Sequence, residues 1–142
     1  MNLCPCGARG DPSATCSCSA QRLSAYRDKL SRALIDRFDL VLALPRPRAA
    51  ELEAGPAEGS DAVRSRVVAA RRRLRKARPG RTREANALLT RAVERLPLSA
   101  RGRARVARVA ATVAALAAAD AVLPEHVAEA LGYRSPKELD RA

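Results

Sequence analysis

The sequence predicts a mainly α protein: a cysteine-rich loop, one helix and one short strand, followed by a bundle of four helices. Three observations carry that prediction. Beyond residue 59 the apolar residues recur at spacings of three and four, and Ser, Thr, Pro and Gly stand where helices start and stop. A single short apolar run, residues 40–44, has the length of a buried strand. The hydrophobic share of 47% is mostly Ala and Val, with one Phe, two Tyr and no Trp, so the core must be thin and its helices close-packed.

Residues 1–19, rich in Gly, Pro, Ser and Cys, read as a loop. Within 21–38, Leu23, Tyr26, Leu30 and Leu34 mark one face of an amphipathic helix. The strand at 40–44 stops at Pro45-Arg46-Pro47, and the Pro, Gly, Ala and Glu of 48–59 make a linker. The chain therefore divides into 1–47, a linker at 48–59 and a helical domain at 60–142. Ser60-Asp61 is placed to cap the first bundle helix, with Val63, Val67 and Leu74 on one stripe, Arg71-Arg72-Arg73 on its flank and Pro79-Gly80 as its end. Thr82 opens the second, with Leu88, Leu89, Val93 and Leu96 inward and Pro97 as its stop. Ser99 caps a long third helix striped by Val106, Val109, Val113 and Leu116. Pro124 suits the first turn of a fourth, carrying Val127 and Leu131 and ending at Gly132, and Ser135-Pro136-Lys137-Glu138 has the pattern of a capping box for a last turn.

In 142 residues, 27 Lys and Arg face 15 Asp and Glu, a formal net charge of +12. The excess is almost all Arg, since only Lys29, Lys76 and Lys137 are lysines. It reads in two ways: as a surface that holds nucleic acid through its phosphates, or as a habit of GC-rich, Ala- and Arg-rich coding. With so few rings, stacking on bases is not the mode of binding. No apolar run approaches the roughly 18 residues of a membrane span, and the N-terminus has Cys, Pro and Gly where a signal peptide is apolar. A cytoplasmic protein without a membrane partner is expected. The lone histidine, His126, has no nucleophile or base beside it and reads as a packing or surface residue. No G-x-x-x-x-G-K-[ST] loop is present, so the chain alone cannot cradle a triphosphate.

The four cysteines are the sharpest local signal. Cys4 and Cys6 form one Cys-x-Cys pair, Cys16 and Cys18 another, and the nine residues between the pairs include Gly7, Gly10 and Pro12, which suit tight turns. Four thiolates match a closed, structural Zn²⁺ site. Two disulfides or four inert buried thiols are the alternatives, and neither suits a clustered Gly-rich loop in a cytosolic chain.

Several strings, in order along the chain, carry a resemblance: Met1-Asn2-Leu3-Cys4-Pro5-Cys6-Gly7, Cys16-Ser17-Cys18, Leu34-Ile35-Asp36-Arg37-Phe38-Asp39-Leu40, Leu98-Ser99-Ala100-Arg101 and His126 to Arg134. Together they resemble the C-terminal portion of the YifB/ComM family of magnesium-chelatase-like AAA+ ATPases, beginning inside the ATPase core and without its Walker motifs. The resemblance implies that 1–47 is the end of the core and 60–142 its helical lid. It implies roles for three residues: Asn2 as sensor 1, Arg37 as the arginine finger that reaches a neighbouring subunit's nucleotide, and Arg101 as the sensor 2 of the lid. Planar, permanently charged guanidinium groups suit phosphoryl transfer, which needs fixed cations against developing charge. Leu3, Arg32-Ala33 and Ala111 depart from the usual Pro, Gly-Pro and Arg of the family.

Two functions follow. One is a segment of a ring-forming, hexameric ATPase acting on DNA in branch migration, during natural transformation or recombination. ATP and Mg²⁺ would enter only with a complete core, whose subunits are then the partners, and the segment would not hydrolyse ATP by itself. The other is a stand-alone, zinc-stapled basic helical module that binds nucleic acid.

Overall fold

The structure, a computed structural model, describes residues 2–134 apart from 12, 45, 46, 56 and 97. The sequence expectations for Pro12, for the strand stop at Pro45-Arg46, for Pro97 and for the turn at Ser135-Pro136-Lys137-Glu138 lie outside the described residues. The mainly α class holds. Among the described residues seven helices run in order: α1 (Ala20–Arg27), α2 (Arg32–Ile35), α3 (Ala49–Glu53), α4 (Ser60–Lys76), α5 (Arg83–Arg95), α6 (Ala100–Leu116) and α7 (Pro124–Gly132).

The last four are the bundle that the sequence predicts. Thr82 and Ser99 cap α5 and α6, their hydroxyl oxygens accepting the amides of Ala85 at 3.2 Å and Gly102 at 2.9 Å. Pro124 occupies the first turn of α7, where its missing N–H costs nothing. Only at α4 does the cap differ. Gly59 takes the cap position with no side-chain bond, and Asp61, two residues further in, pairs instead with Arg64 at 2.8 Å.

The long helix α6 is the centre: it packs on α4, α5 and α7, and α7 packs on α5. Its buried face is Gly102, Val106, Val109, Ala110, Ala114 and Ala115, so the stripe turns toward alanines and leaves Val113 half-buried and Leu116 exposed. Leu96, expected to point inward, is exposed as well. The largest fully buried side chains of the bundle are Leu89, Val106, Val122 and Val127, a thin core that the composition requires. At the end of α6 the chain turns through Ala118, whose φ of +57° lies in the left-handed region.

Two expectations for the N-terminal part are corrected. The helix foreseen over 21–38 is broken into α1 and α2. Asp28 ends the first, and the Ser31 hydroxyl accepts the Leu34 amide at 3.2 Å and starts the second. The stripe it relied on is only half-buried at Leu23, Tyr26 and Leu30 and exposed at Leu34, too little burial to carry a helix across that competing cap. Residues 40–44 form no strand. Val41 donates its amide to the Tyr133 carbonyl at 2.9 Å, and Leu40, Leu42 and Leu44 are 49, 61 and 87% exposed. A strand exists only as a pairing, and no second strand lies beside this one among the described residues. The stretch 48–59, expected as a plain linker, holds the short helix α3, whose Glu51 carboxylate accepts the Arg48 amide at 2.8 Å.

Candidate functional site

The cysteine loop is built by its turns. The Gly7 amide donates to the Cys4 carbonyl at 3.1 Å, and Gly7 and Gly10 sit at φ of +79° and +85°, where a side chain is strained. A Cβ at Gly10 would also stand 2.9 Å from Leu3 Cδ1. These turns bring the sulfurs of Cys4, Cys6, Cys16 and Cys18 within 4.8 Å of one another. Cys4 to Cys6 is 3.3 Å and Cys6 to Cys16 is 3.7 Å. Tetrahedral zinc, with Zn–S near 2.3 Å, sets its sulfurs about 3.8 Å apart, so the cluster fits such an ion with only small movements.

The protons of the cluster are unevenly held. The Ala8 backbone hydrogen bond, aided by the Cys4 and Cys18 thiols, lowers the Cys6 thiol to about 6. For Cys16, the Cys18 backbone hydrogen bond lowers the value, but desolvation and bonds to the other three thiols outweigh it and push it up to about 11. Negative charge gathers on one sulfur while a neighbour keeps its proton, because thiolates this close repel. A dication is the simplest way to let all of them ionise. Arg9 adds a backbone amide donated to Cys4 Sγ at 3.3 Å.

The second feature joins sequence positions far apart. Arg37 lies exposed in the turn after α2, and Arg101 is exposed in the first turn of α6. Between them stands Asp36. Its carboxylate accepts the hydroxyl of Ser99, the α6 cap, at 3.0 Å, and pairs with the guanidinium of Arg134. Arg134 also donates to the carbonyls of Phe38 at 2.5 Å and Asp36 at 3.2 Å. Asp39 receives Arg105 at 3.0 Å and Arg108 at 3.4 Å from α6, while Arg105 Nε has no partner among the described residues. The Arg37 turn is thus clamped from both sides onto the start of α6 and the end of α7. Asn2 stands elsewhere, exposed beside Gly7 in the cysteine loop.

Sequence reasoning singles out Arg37 and Arg101 and misses Asp36, Asp39, Arg105 and Arg134, which hold the turn. The carboxylates flanking Arg37 in Asp36-Arg37-Phe38-Asp39 are the one local hint. Their partners lie 63 to 98 residues away, beyond any spacing rule. His126 takes the packing role expected of it: buried at the start of α7, its Nδ1 accepts the Leu123 amide at 3.0 Å. No helix among the described residues is long and apolar enough to cross a membrane.

Two family models match the chain, magnesium chelatase subunit ChlI over residues 1–52 and magnesium chelatase subunit ChlI C-terminal over 77–134. The chain is 35% identical to an uncharacterized protein of Mycobacterium tuberculosis, an alignment covering 94% of this chain and 30% of the relative. It is 32% identical to the uncharacterized protein YifB of Escherichia coli, over 86% of this chain and 28% of the relative. It is 30% identical to competence protein ComM of Haemophilus influenzae, over 85% of this chain and 27% of the relative. The chain spans less than a third of the length of each of these relatives.

Proposed function

Because this chain belongs to the magnesium-chelatase-like family, we propose that it is the C-terminal portion of an AAA+ ATPase that acts on DNA, of the type that ComM represents in competence. In this reading 1–47 ends the ATPase core, 48–59 links it and 60–142 is the lid. The observation that carries the reading is the collinear match of both family models, joined in space by the Asp36 clamp between the Arg37 turn and the cap of α6.

Arg37, exposed on a turn that its neighbours hold, offers its guanidinium fork to the phosphates of a nucleotide bound by an adjacent subunit of a ring. Arg101, on the lid, is the second cation, and Asn2 is the polar group that orients water. Nucleotide and Mg²⁺ supply the reacting phosphate and its counter-charge, and both need a P-loop that this chain lacks. Zn²⁺ in the four-cysteine loop is structural: a closed shell of thiolates leaves no position for water, and its work is to fix the turn that bears Asn2.

The test joins the full chain to the P-loop part of a relative such as YifB. In assemblies shown to be rings, Arg37→Ala abolishes hydrolysis, a loss of roughly 10³-fold or more, and leaves nucleotide binding nearly intact. Arg72→Ala, on the exposed flank of α4, leaves both unchanged. Equal hydrolysis by the two variants removes Arg37 from the mechanism.

A further inference from the structure

Between Asp61 and Glu84 the chain carries ten Lys and Arg and not one Asp or Glu. Most of these cations project from α4 into solvent. Two do not stand alone: Arg78 and Arg81, in the connection from α4 to α5, line a cleft of about 200 Å³ together with Arg108 of α6. Its floor is Ala104, Ala107 and Ala111, one face of α6.

The charge of this cleft is nearly uncompensated. Among the described residues, Arg78 and Arg81 enter no ion pair. Arg81 is tied by its inner nitrogen, Nε, to the Asn86 side-chain oxygen at 2.7 Å, a neutral acceptor that orients the guanidinium without cancelling its charge. Arg108 shares the single carboxylate of Asp39 with Arg105. Three guanidinium groups around one small space repel one another, and an anion there relieves that repulsion while taking several charge-assisted hydrogen bonds. The alanine floor offers no donor or acceptor that could read a base. It does offer an apolar bed for a sugar, so what it selects is a backbone and not a sequence.

We propose that this cleft binds the phosphodiester backbone of nucleic acid, independently of sequence. The proposal rests on the DNA reading above and gives it a place: the α4–α5 connection and the flank of α6, apart from the Arg37 turn.

The experiment measures fluorescence anisotropy of a labelled DNA duplex with the full chain, from about 50 to 200 mM salt, the range in which phosphate contacts are read from the slope of log K against log salt. Substituting Arg78, Arg81 and Arg108 together by Ala is expected to flatten the slope by about 2 to 3, near 0.9 for each lost phosphate, and to weaken binding at least tenfold at the low-salt end. The same three as Lys keep most of the slope. The control removes equal charge elsewhere, at exposed Arg22, Arg91 and Arg95, and leaves the slope nearly unchanged. Should the triple variant not fold, Arg78→Ala alone decides, with an expected change of about 0.9. Equal losses in the cleft and control triples overturn the cleft while the DNA reading survives. Absence of salt-dependent DNA binding by the unsubstituted chain overturns both. Retention of inorganic polyphosphate or phosphatidylserine vesicles that depends on the three arginines, with DNA binding unaffected by them, assigns the cleft to another anion and overturns the proposal.

Discussion

Replacing Arg134 by Ala should release the Arg37 turn from the bundle without unfolding the bundle. The Arg134 side chain is 8% exposed and makes the ion pair to Asp36, itself 29% exposed, and two bonds to main-chain carbonyls. Hydrogen bonds from a charged donor contribute about 1.5–3 kcal/mol each, and removing one partner of a fully buried pair costs about 3–5 kcal/mol. The carbonyls and the half-exposed carboxylate regain water on release, so the expected net cost is about 2–3 kcal/mol. The reporter is the Val41 amide, bonded to the Tyr133 carbonyl next to Arg134. Its hydrogen exchange should quicken about 30- to 150-fold, the factor that this free energy represents at 1.36 kcal/mol per decade. Amides of buried Val109 and Ala110 in α6 should keep their rates, because the bundle core does not include Arg134. Arg134→Lys keeps the charge and loses the fork, and falls between. If Val41 exchanges less than about threefold faster, or if Val109 quickens as much as Val41, the clamp is not what holds the turn.

Two further measurements bear on the loop and the bundle. Reduced protein should take up one zinc per chain, and Cys4→Ser should abolish tight binding; affinity should fall as pH drops through about 6, where the Cys6 thiolate is protonated, and binding at neutral pH should release the proton that Cys16 holds. Metal analysis that finds no zinc, or affinity flat across that range, contradicts the four-thiolate site. Ala118→Gly relieves a left-handed φ of +57° at a non-glycine residue and should raise stability to urea by about 1 kcal/mol; an unchanged or lowered midpoint means that the turn is not strained.

What the sequence alone determined is local. Thr82, Ser99 and Pro124 set the starts of α5, α6 and α7 because a cap acts within three residues of itself, and the spacing of Leu89, Val106 and Val127 placed the core because helical period is written in consecutive positions. The four cysteines announced their own cluster, since short chelating pairs and glycine turns close over a few residues. Tertiary structure decided the rest. Residues 40–44 have the composition of a strand, yet no strand lies beside them among the described residues, because a strand draws its stability from a neighbour that composition does not specify. The helix over 21–38 broke at Asp28 and Ser31 because its apolar face found too little to bury against. The clamp of Asp36 by Ser99 and Arg134, and the meeting of Arg78 and Arg81 with Arg108, depend on how α6 and α7 turn against the segments before them. In a chain with this many arginines, charge alone marks none of them out; the packing of α6 is what brings Arg105 and Arg108 to Asp39 and sets Arg108 beside Arg78 and Arg81.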